Sequence, residues 1–309
     1  MEELYRTKLE AFLSQHAPKL EETARHRELL EEAFRDSWGQ IDFHYDGSLI
    51  RIGRLPGWEP YERKHETKRG KIGGFTVKAR GRLMNICACI RRDAAALFVT
   101  LTYPSAWDGD PKRWKRDLDA FGKWLRREFP GCSAIWKLEP QQRGAPHFHL
   151  LVWGIAFLHH QRLARRWFEI VGSNDPRHLA AGTRVEAVRS RNGVMRYASK
   201  LYMGKDFQMP AGWEHVGRFW GVIGRADLPL SKCETFVEPS TVMARFRRIV
   251  RRFLHAKGLT RRGRGAVRLF TEQHLQWARV LDWAWGNPLA PLEEVLSATA
   301  AKRSAERPA

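Results

Sequence analysis

The segment SAIWKLEPQQRGAPHFHLLVWG, residues 133–154, contains two apolar runs that flank a polar turn. Residues 133–139 and 147–154 are rich in β-branched and aromatic side chains, and the turn between them contains Pro, Gly, Gln and Arg. This pattern predicts a β-hairpin. Because successive side chains of a strand alternate between its two faces, His147 and His149 would project from one face and Phe148 from the other.

The sequence on both sides of this hairpin predicts a mixed α+β domain. The run ALFVTLTYP, residues 96–104, has the composition of a buried strand. Asp110 and Pro111 suit the N-cap and first position of a helix that would extend to Pro130. Further predictions are a helix over about 159–170, a strand over 183–188 and a helix over about 192–204. The order β-α-β-β-α-β-α predicts a ferredoxin-like, split β-α-β arrangement on an antiparallel sheet.

Changes in composition divide the chain into three predicted regions. Residues 1–74 would form an N-terminal extension, amphipathic and helical to about residue 40 and irregular over 45–75, where Gly, Pro and charged residues are frequent. Residues 75–230 would form the central domain. Residues 231–309 would form a basic, helical C-terminal region.

The overall composition favours a folded protein that binds a polyanion. Hydrophobic residues make up 43% of the 309 residues, and the formal net charge is +20. Nucleic acid is therefore the leading partner, and no run approaches the roughly 18 consecutive apolar residues of a membrane span. The charged N-terminus lacks the apolar stretch of a signal peptide, so a cytoplasmic location is expected. Trp136 and Trp153 are candidates for base stacking, although most of the 13 Trp are expected in the core.

Positive charge is concentrated in one C-terminal run. Residues 244–270 contain Lys or Arg at ten positions and no acidic residue. A solvated helix face is one interpretation, but such a run repels itself unless a polyanion is bound, and DNA contact is favoured. The candidate DNA-binding residues are Arg247, Arg248, Arg251, Arg252, Arg261 and Arg262.

Two groups of residues are candidates for chemistry. His147 and His149 converge on one point, and Glu139, across the turn, could supply a carboxylate; this set suits Mn, Fe or Zn, and also Mg if water positions stay open. Two surface imidazoles at a strand end remain the alternative. Tyr197 and Lys200 lie three residues apart, on one face of the predicted helix. The tyrosine could attack phosphorus while the lysine stabilises the developing charge.

Three stretches, FVTLTYP, PHFHLLVWG and RYASK, resemble motifs I, II and III of the HUH rolling-circle replication initiators, in the same order and with similar separations. The H-hydrophobic-H pattern is met at His147 to His149 and the Y-x-x-K pattern at Tyr197 to Lys200. The similarity is closest to replication-associated proteins of phages and plasmids and covers roughly residues 95–225.

The resemblance implies an HUH endonuclease fold that nicks and rejoins single-stranded DNA at a replication origin. It implies a divalent metal, Mg²⁺ or Mn²⁺, held by His147, His149 and an upstream acidic residue, for which Glu139 is the candidate. Tyr197 would become linked to the 5′ phosphate, and the freed 3′ hydroxyl would prime synthesis. Tyr202, which heads an overlapping Y-x-x-K pattern, is the rival nucleophile. A host helicase and polymerase would be the partners, because the sequence lacks a phosphate-binding loop.

Two other functions stay open at this point. Two histidines and a carboxylate also describe the iron site of metal-dependent oxygenases, which would leave the basic charge and Tyr197 without a role. The chain could also be a DNA-binding regulator with a degenerate active site.

Overall fold

The protein is described here from a computed structural model, in residues 38–54, 74–188, 194, 209–213, 215–259 and 267–285. The chain divides into two units, one formed by residues 65–231 and the other by the segments before and after it. Both units combine helices with an antiparallel sheet. The predicted α+β class is therefore confirmed.

The unit of residues 65–231 contains the predicted central elements. Its strands and helices are α1 (Val77–Ala88), β3 (Ala96–Thr102), α2 (Pro111–Glu128), β4 (Ser133–Pro140), β5 (Pro146–Trp153), α3 (His160–Val171), α4 (Pro176–Ala181), β6 (Thr183–Val188) and β7 (Trp220–Ile223). As predicted, Asp110 caps α2: its side chain accepts a hydrogen bond of 2.9 Å from the backbone N–H of Lys112. Helices α1 and α4 and strand β7 were not predicted, and the predicted helix over 192–204 lies outside the described residues, apart from Val194.

The five strands of this unit form one antiparallel sheet in the order β6-β3-β5-β4-β7. Helix α2 connects β3 to β4, and helices α3 and α4 connect β5 to β6. Because β5 lies between β3 and β4, and β3 lies between β5 and β6, the two β-α-β crossovers interleave. The predicted β4–β5 hairpin is present, with Glu139 opposite His147.

Helices α2 and α3 pack on the face of the sheet that carries Phe148. The Phe148 ring lies 6.5 Å from Trp167 of α3 and 6.2 Å from Trp136, and Trp167 in turn contacts Phe121 of α2 at 6.0 Å. All distances are between ring centroids. Trp136 and Trp153 are buried, which contradicts the suggestion that either ring is a platform for DNA bases. The side chains of His147 and His149 therefore project from the opposite face.

The second unit is formed by sequence segments from both sides of the first. Its elements are β1 (Trp38–His44), β2 (Leu49–Arg54), β8 (Cys233–Pro239), α5 (Ser240–Ala256), β9 (Val267–Phe270) and α6 (His274–Ala284). The strands form an antiparallel sheet in the order β8-β1-β2-β9. Its core contains side chains of β1 and β2, such as Phe43 and Ile50, together with Phe246 of α5 and Trp277 of α6.

This unit corrects two expectations. Residues 38–54 form the β1–β2 hairpin, where the composition predicted the end of a helix followed by an irregular connection. The region after residue 231 is helical over α5 and α6, as predicted, but it also contributes the strands β8 and β9. Among the helices in the described part of the chain, none is long and apolar enough to cross a membrane.

Candidate functional site

The two histidines of β5 each face a threonine on the neighbouring strand β3. Thr102 is the register partner of His147, and Thr100 is the partner of His149. Each threonine Oγ1 lies within hydrogen-bond distance of the histidine Nδ1, at 3.1 Å for His147 and 3.2 Å for His149. The two imidazole rings lie edge to face, with centroids 4.3 Å apart. The site is therefore a pair of matched His–Thr contacts across two strands.

These contacts define how the imidazoles could bind an ion. When Nδ1 carries the ring hydrogen, it donates to the threonine oxygen, and the lone pair used for coordination is then on Nε2. Metal-binding histidines commonly have such a partner on the second nitrogen, which orients the ring. Thr100 and Thr102 thus act as positioning residues for His149 and His147.

The surroundings keep His147 neutral. Burial, and then the nearby Arg143 guanidinium, lower the pKa of His147 from 6.5 to about 4. Arg143 is fixed in place because its guanidinium donates hydrogen bonds to the backbone oxygens of Tyr103 and Pro104, at 2.5 and 2.7 Å. A neutral imidazole is the form that binds a metal. His147 is therefore in the protonation state that coordination needs at neutral pH.

Glu139 and Lys137 of β4 project from the same face as the histidines. Glu139 pairs in register with His147, and Lys137 pairs with His149. Glu139 Oε2 lies 3.7 Å from His149 Nε2, while Glu139 Oε1 lies 2.6 Å from Lys137 Nζ. Both side chains of this ion pair are almost completely buried, and Lys137 Nζ also lies 4.9 Å from the centroid of the Phe75 ring.

The structure brings the three predicted ligands together but not into a closed ligand set. Within the ranges that the structure describes, no three or more His, Cys, Asp or Glu side chains are arranged so that they could hold a metal ion. His147 and His149 fit a divalent metal in their chemistry and in the orientation that the threonines impose. Glu139 has suitable chemistry, but its carboxylate is shared with Lys137 and would have to turn toward the histidines.

Other predicted site residues fall outside the described residues. Tyr197, Lys200 and the rival nucleophile Tyr202 are among them, as are Arg261 and Arg262. The candidate arginines Arg247, Arg248, Arg251 and Arg252 all lie on α5. Arg251 is exposed and the other three are half-buried, because the opposite face of α5 packs into the core through Phe246, Ile249, Val250 and Phe253.

Three side chains that contact the histidines or Glu139 were not predicted from the sequence. Thr100 and Thr102 lie in the stretch FVTLTYP, and Lys137 lies in SAIWKLE, two residues before Glu139. The available signal was the spacing of two between the threonines, which matches the spacing of the histidines on a neighbouring strand. The register of β3 against β5, which brings them opposite one another, could not be predicted from spacing.

The His–Thr contacts lead to a test by substitution with a residue of equal shape. Replacing Thr100 and Thr102 together with Val removes both hydroxyls, and we expect the affinity for Mn²⁺ to fall about ten- to a hundredfold. Isothermal titration would measure it. Thr183→Val is the matched control, since Thr183 is a buried strand residue whose Oγ1 has no hydrogen-bond partner among the described residues. Equal affinities in the two variants would exclude a positioning role for the β3 threonines.

The buried Lys137–Glu139 pair predicts an asymmetric effect on stability. Glu139→Ala leaves the Lys137 ammonium buried without its carboxylate, so we expect the free energy of unfolding to fall by about 3 to 5 kcal/mol. The double substitution Lys137→Met/Glu139→Leu removes both charges and should restore most of this loss. Urea denaturation gives both values. A double variant as unstable as Glu139→Ala would contradict this explanation.

Comparison with known proteins gives the same region of the chain a context. The model of the ORF2-type family of replication-associated proteins matches residues 96–207, which include the histidine pair, both threonines and Glu139. The chain is 28% identical over 195 residues to a predicted replication protein of Xylella fastidiosa strain 9a5c, covering 56% of this chain and 65% of the relative. It is 27% identical over 200 residues to another from strain Temecula1, covering 59% of this chain and 72% of the relative.

No solved protein structure matches this one. The chain covers slightly less than two thirds of the first relative and somewhat more than two thirds of the second. The matched region contains the complete sheet segment β3 to β6, on which the histidines lie. In residues 96–207 the chain is thus similar to the ORF2-type family of replication-associated proteins, and this similarity supports a replication initiator.

Proposed function

We propose that the protein is a rolling-circle replication initiator of the HUH type, which nicks and rejoins single-stranded DNA at an origin. The observation that carries the proposal is the pair of histidines on β5, each positioned by a threonine of β3, within the region similar to replication-associated proteins. The proposal includes a cytoplasmic setting and a cellular helicase and polymerase as partners.

In the proposed reaction, the Tyr197 oxygen forms a bond to the scissile phosphorus and the bond from phosphorus to the 3′ oxygen breaks. The phenolic proton is lost to solvent, and the leaving 3′ oxygen takes up a proton to become the hydroxyl that primes synthesis. The phosphotyrosine bond conserves the energy of the original phosphodiester, so that the reverse attack by a 3′ hydroxyl rejoins a strand. Lys200 would stabilise the charge that develops on the phosphate oxygens.

The side chains on the sheet would prepare the phosphate for this attack. His147 and His149 would hold a divalent metal through Nε2, with Glu139 as the third ligand. When bound, Mg²⁺ or Mn²⁺ supplies Lewis-acid polarisation of the scissile phosphate. Thr100 and Thr102 keep the imidazoles oriented, and the burial that lowers the pKa of His147 keeps that ring neutral. Lys137 holds the Glu139 carboxylate beside the histidines.

The direct test is to incubate the protein with single-stranded origin DNA and Mn²⁺ and to separate the products on a denaturing gel. We expect a covalent protein–DNA band and a free 3′ hydroxyl on the cleaved strand. A DNA-binding regulator would retard DNA on a native gel without forming this band. An oxygenase would form no adduct and would need Fe(II) and oxygen for its activity. Absence of the adduct with every divalent metal tested, despite DNA binding, would overturn the proposal.

The arginines of α5 lead to a prediction about affinity. Replacing Arg247, Arg248, Arg251 and Arg252 with Ala should weaken binding to single-stranded DNA and reduce the slope of log K against log salt by up to about 3, at roughly 0.7 per lost phosphate contact. Fluorescence anisotropy over a range of salt concentrations measures both effects. Nicking at saturating protein should survive. An unchanged salt slope would identify α5 as a solvated helix that does not contact DNA.

A further inference from the structure

A second basic site lies on the outer surface of the helices α2 and α3. It is a cleft of about 460 Å³, and we call it the arginine cleft. Its lining residues are Trp124, Arg127, Glu128, His159, Gln161, Arg162, Arg165, Arg166 and Glu169. Arg162, Arg165 and Arg166 share one face of α3, because residues three and four apart are neighbours on a helix. Arg127 joins them from α2.

The charges of the arginine cleft are only partly balanced. Arg162 forms an ion pair with Glu128, and Arg166 forms one with Glu169 at 3.1 Å. Arg127 and Arg165 are exposed and have no acidic partner within 4.0 Å among the described residues. Two guanidinium groups are therefore held in one concave site with their donors directed to solvent or to a ligand. Arginine forms bidentate hydrogen bonds with phosphate, so a phosphate-containing polymer is the matching ligand.

An exposed aromatic ring next to the arginine cleft narrows the choice of polymer. Phe157 is 71% exposed, and its ring centroid lies 6.2 Å from that of His159, which lines the cleft. An exposed phenylalanine ring offers an apolar face on which the bases of a single strand can stack. Basic grooves beside exposed aromatic rings are typical of sites for single-stranded nucleic acid, because a duplex keeps its bases stacked on one another.

The location of the arginine cleft separates it from the histidines. Helices α2 and α3 cover the Phe148 face of the sheet, and His147 and His149 project from the other face. A nucleotide bound at the histidines could not contact Arg127 or Arg165 through the sheet. The arginine cleft must therefore bind a different stretch of DNA from the one that would be cleaved.

We propose that the arginine cleft is a second binding site for single-stranded DNA, in which Arg127 and Arg165 contact phosphates and a base stacks on Phe157. The site would hold a strand away from the histidine face while that face acts on its own substrate. The binding at the arginine cleft does not depend on tyrosine chemistry or on a metal, so it can be tested independently of the proposed nicking activity.

The test is the binding of a fluorescein-labelled oligothymidylate to the full chain in EDTA, measured by anisotropy at several salt concentrations. Arg127→Gln/Arg165→Gln should weaken binding about tenfold and reduce the slope of log K against log salt by about 1.4, since each contact to a single strand contributes roughly 0.7. Phe157→Ala should weaken binding about tenfold without changing the slope, because stacking releases no counterions.

Matched controls separate a local site from the general positive field. Lys78→Gln/Arg177→Gln removes two exposed charges outside the arginine cleft, and Leu179→Ala removes an exposed apolar side chain on α4. Both should bind the oligothymidylate like the unmodified protein. The proposal is overturned if the control charges matter as much as Arg127 and Arg165, if Phe157→Ala has no effect, or if duplex DNA loses more affinity than the single strand. Circular dichroism confirms that each variant is folded.

Discussion

Tyr197→Phe is expected to abolish the covalent protein–DNA adduct and strand joining, with a loss of at least about 1,000-fold in the rate of cleavage. The substitution removes the nucleophilic oxygen and keeps the aromatic ring, so the affinity for DNA and metal should stay close to that of the unmodified protein. The adduct is measured on a denaturing gel, and affinity is measured by anisotropy.

Tyr202→Phe is the matched control for this prediction. In a helix, five residues correspond to a rotation of about 140°, so Tyr202 would point away from a metal that faces Tyr197. This variant should form the adduct and join strands. Lys200→Ala should slow the reaction without preventing it, since a neighbouring cation assists charge development but forms no bond. Peptide mapping of the trapped adduct gives the direct answer: a label on Tyr202 would reverse the assignment, and a label on neither tyrosine would exclude the mechanism.

Removing either imidazole of the β5 pair should have the second large effect. His147→Ala or His149→Ala is expected to reduce cleavage by at least about 100-fold, because each removes one of only two ligands that the threonines position. Most of the affinity for DNA should remain, since phosphate contacts across the basic surface supply it. Cleavage rate at saturating DNA and the dissociation constant are the two quantities to compare.

His215→Ala is the control for loss of an imidazole, because His215 is exposed. It should cleave and bind normally. If His147→Ala lost affinity and cleavage to the same extent, the histidine pair would be a DNA-binding element and not a metal site. Restoration of cleavage in His149→Ala by a higher concentration of Mn²⁺ would support the metal role.

The central elements could be predicted because their signals are local. The alternation and β-branched content of β3, β4 and β5 and the Asp110 cap of α2 depend only on nearby residues. The β1–β2 hairpin also had a local signal that was overlooked: Asp46 and Gly47 separate two alternating apolar stretches, a typical turn dipeptide in a hairpin. Strands β8 and β9 had no comparable signal, because β8 is largely exposed, β9 is four residues long, and their partners are distant in sequence.

The candidate site divides in the same way. The spacing of His147 and His149 on a strand predicted that both would project from one face, and the structure has them side by side. The choice of Thr100 and Thr102 as their partners depends on the β3–β5 register, which follows from packing of the whole sheet. The capture of Glu139 by Lys137 likewise needs the burial of both side chains, which no sequence pattern specified.

The pairing of β1 with β8 has a consequence for how the chain folds as it is synthesised. Their partners, such as Gly39 and Glu238, are about 200 residues apart, a span that a ribosome takes about 10 to 40 s to translate. The first hairpin must wait through this interval with the edge of β1 open, while the intervening unit, whose neighbouring strands are close in sequence, can already fold. Such a waiting edge is a place where nascent chains associate with one another or recruit chaperones. Slower translation of the second half should therefore lower the soluble yield.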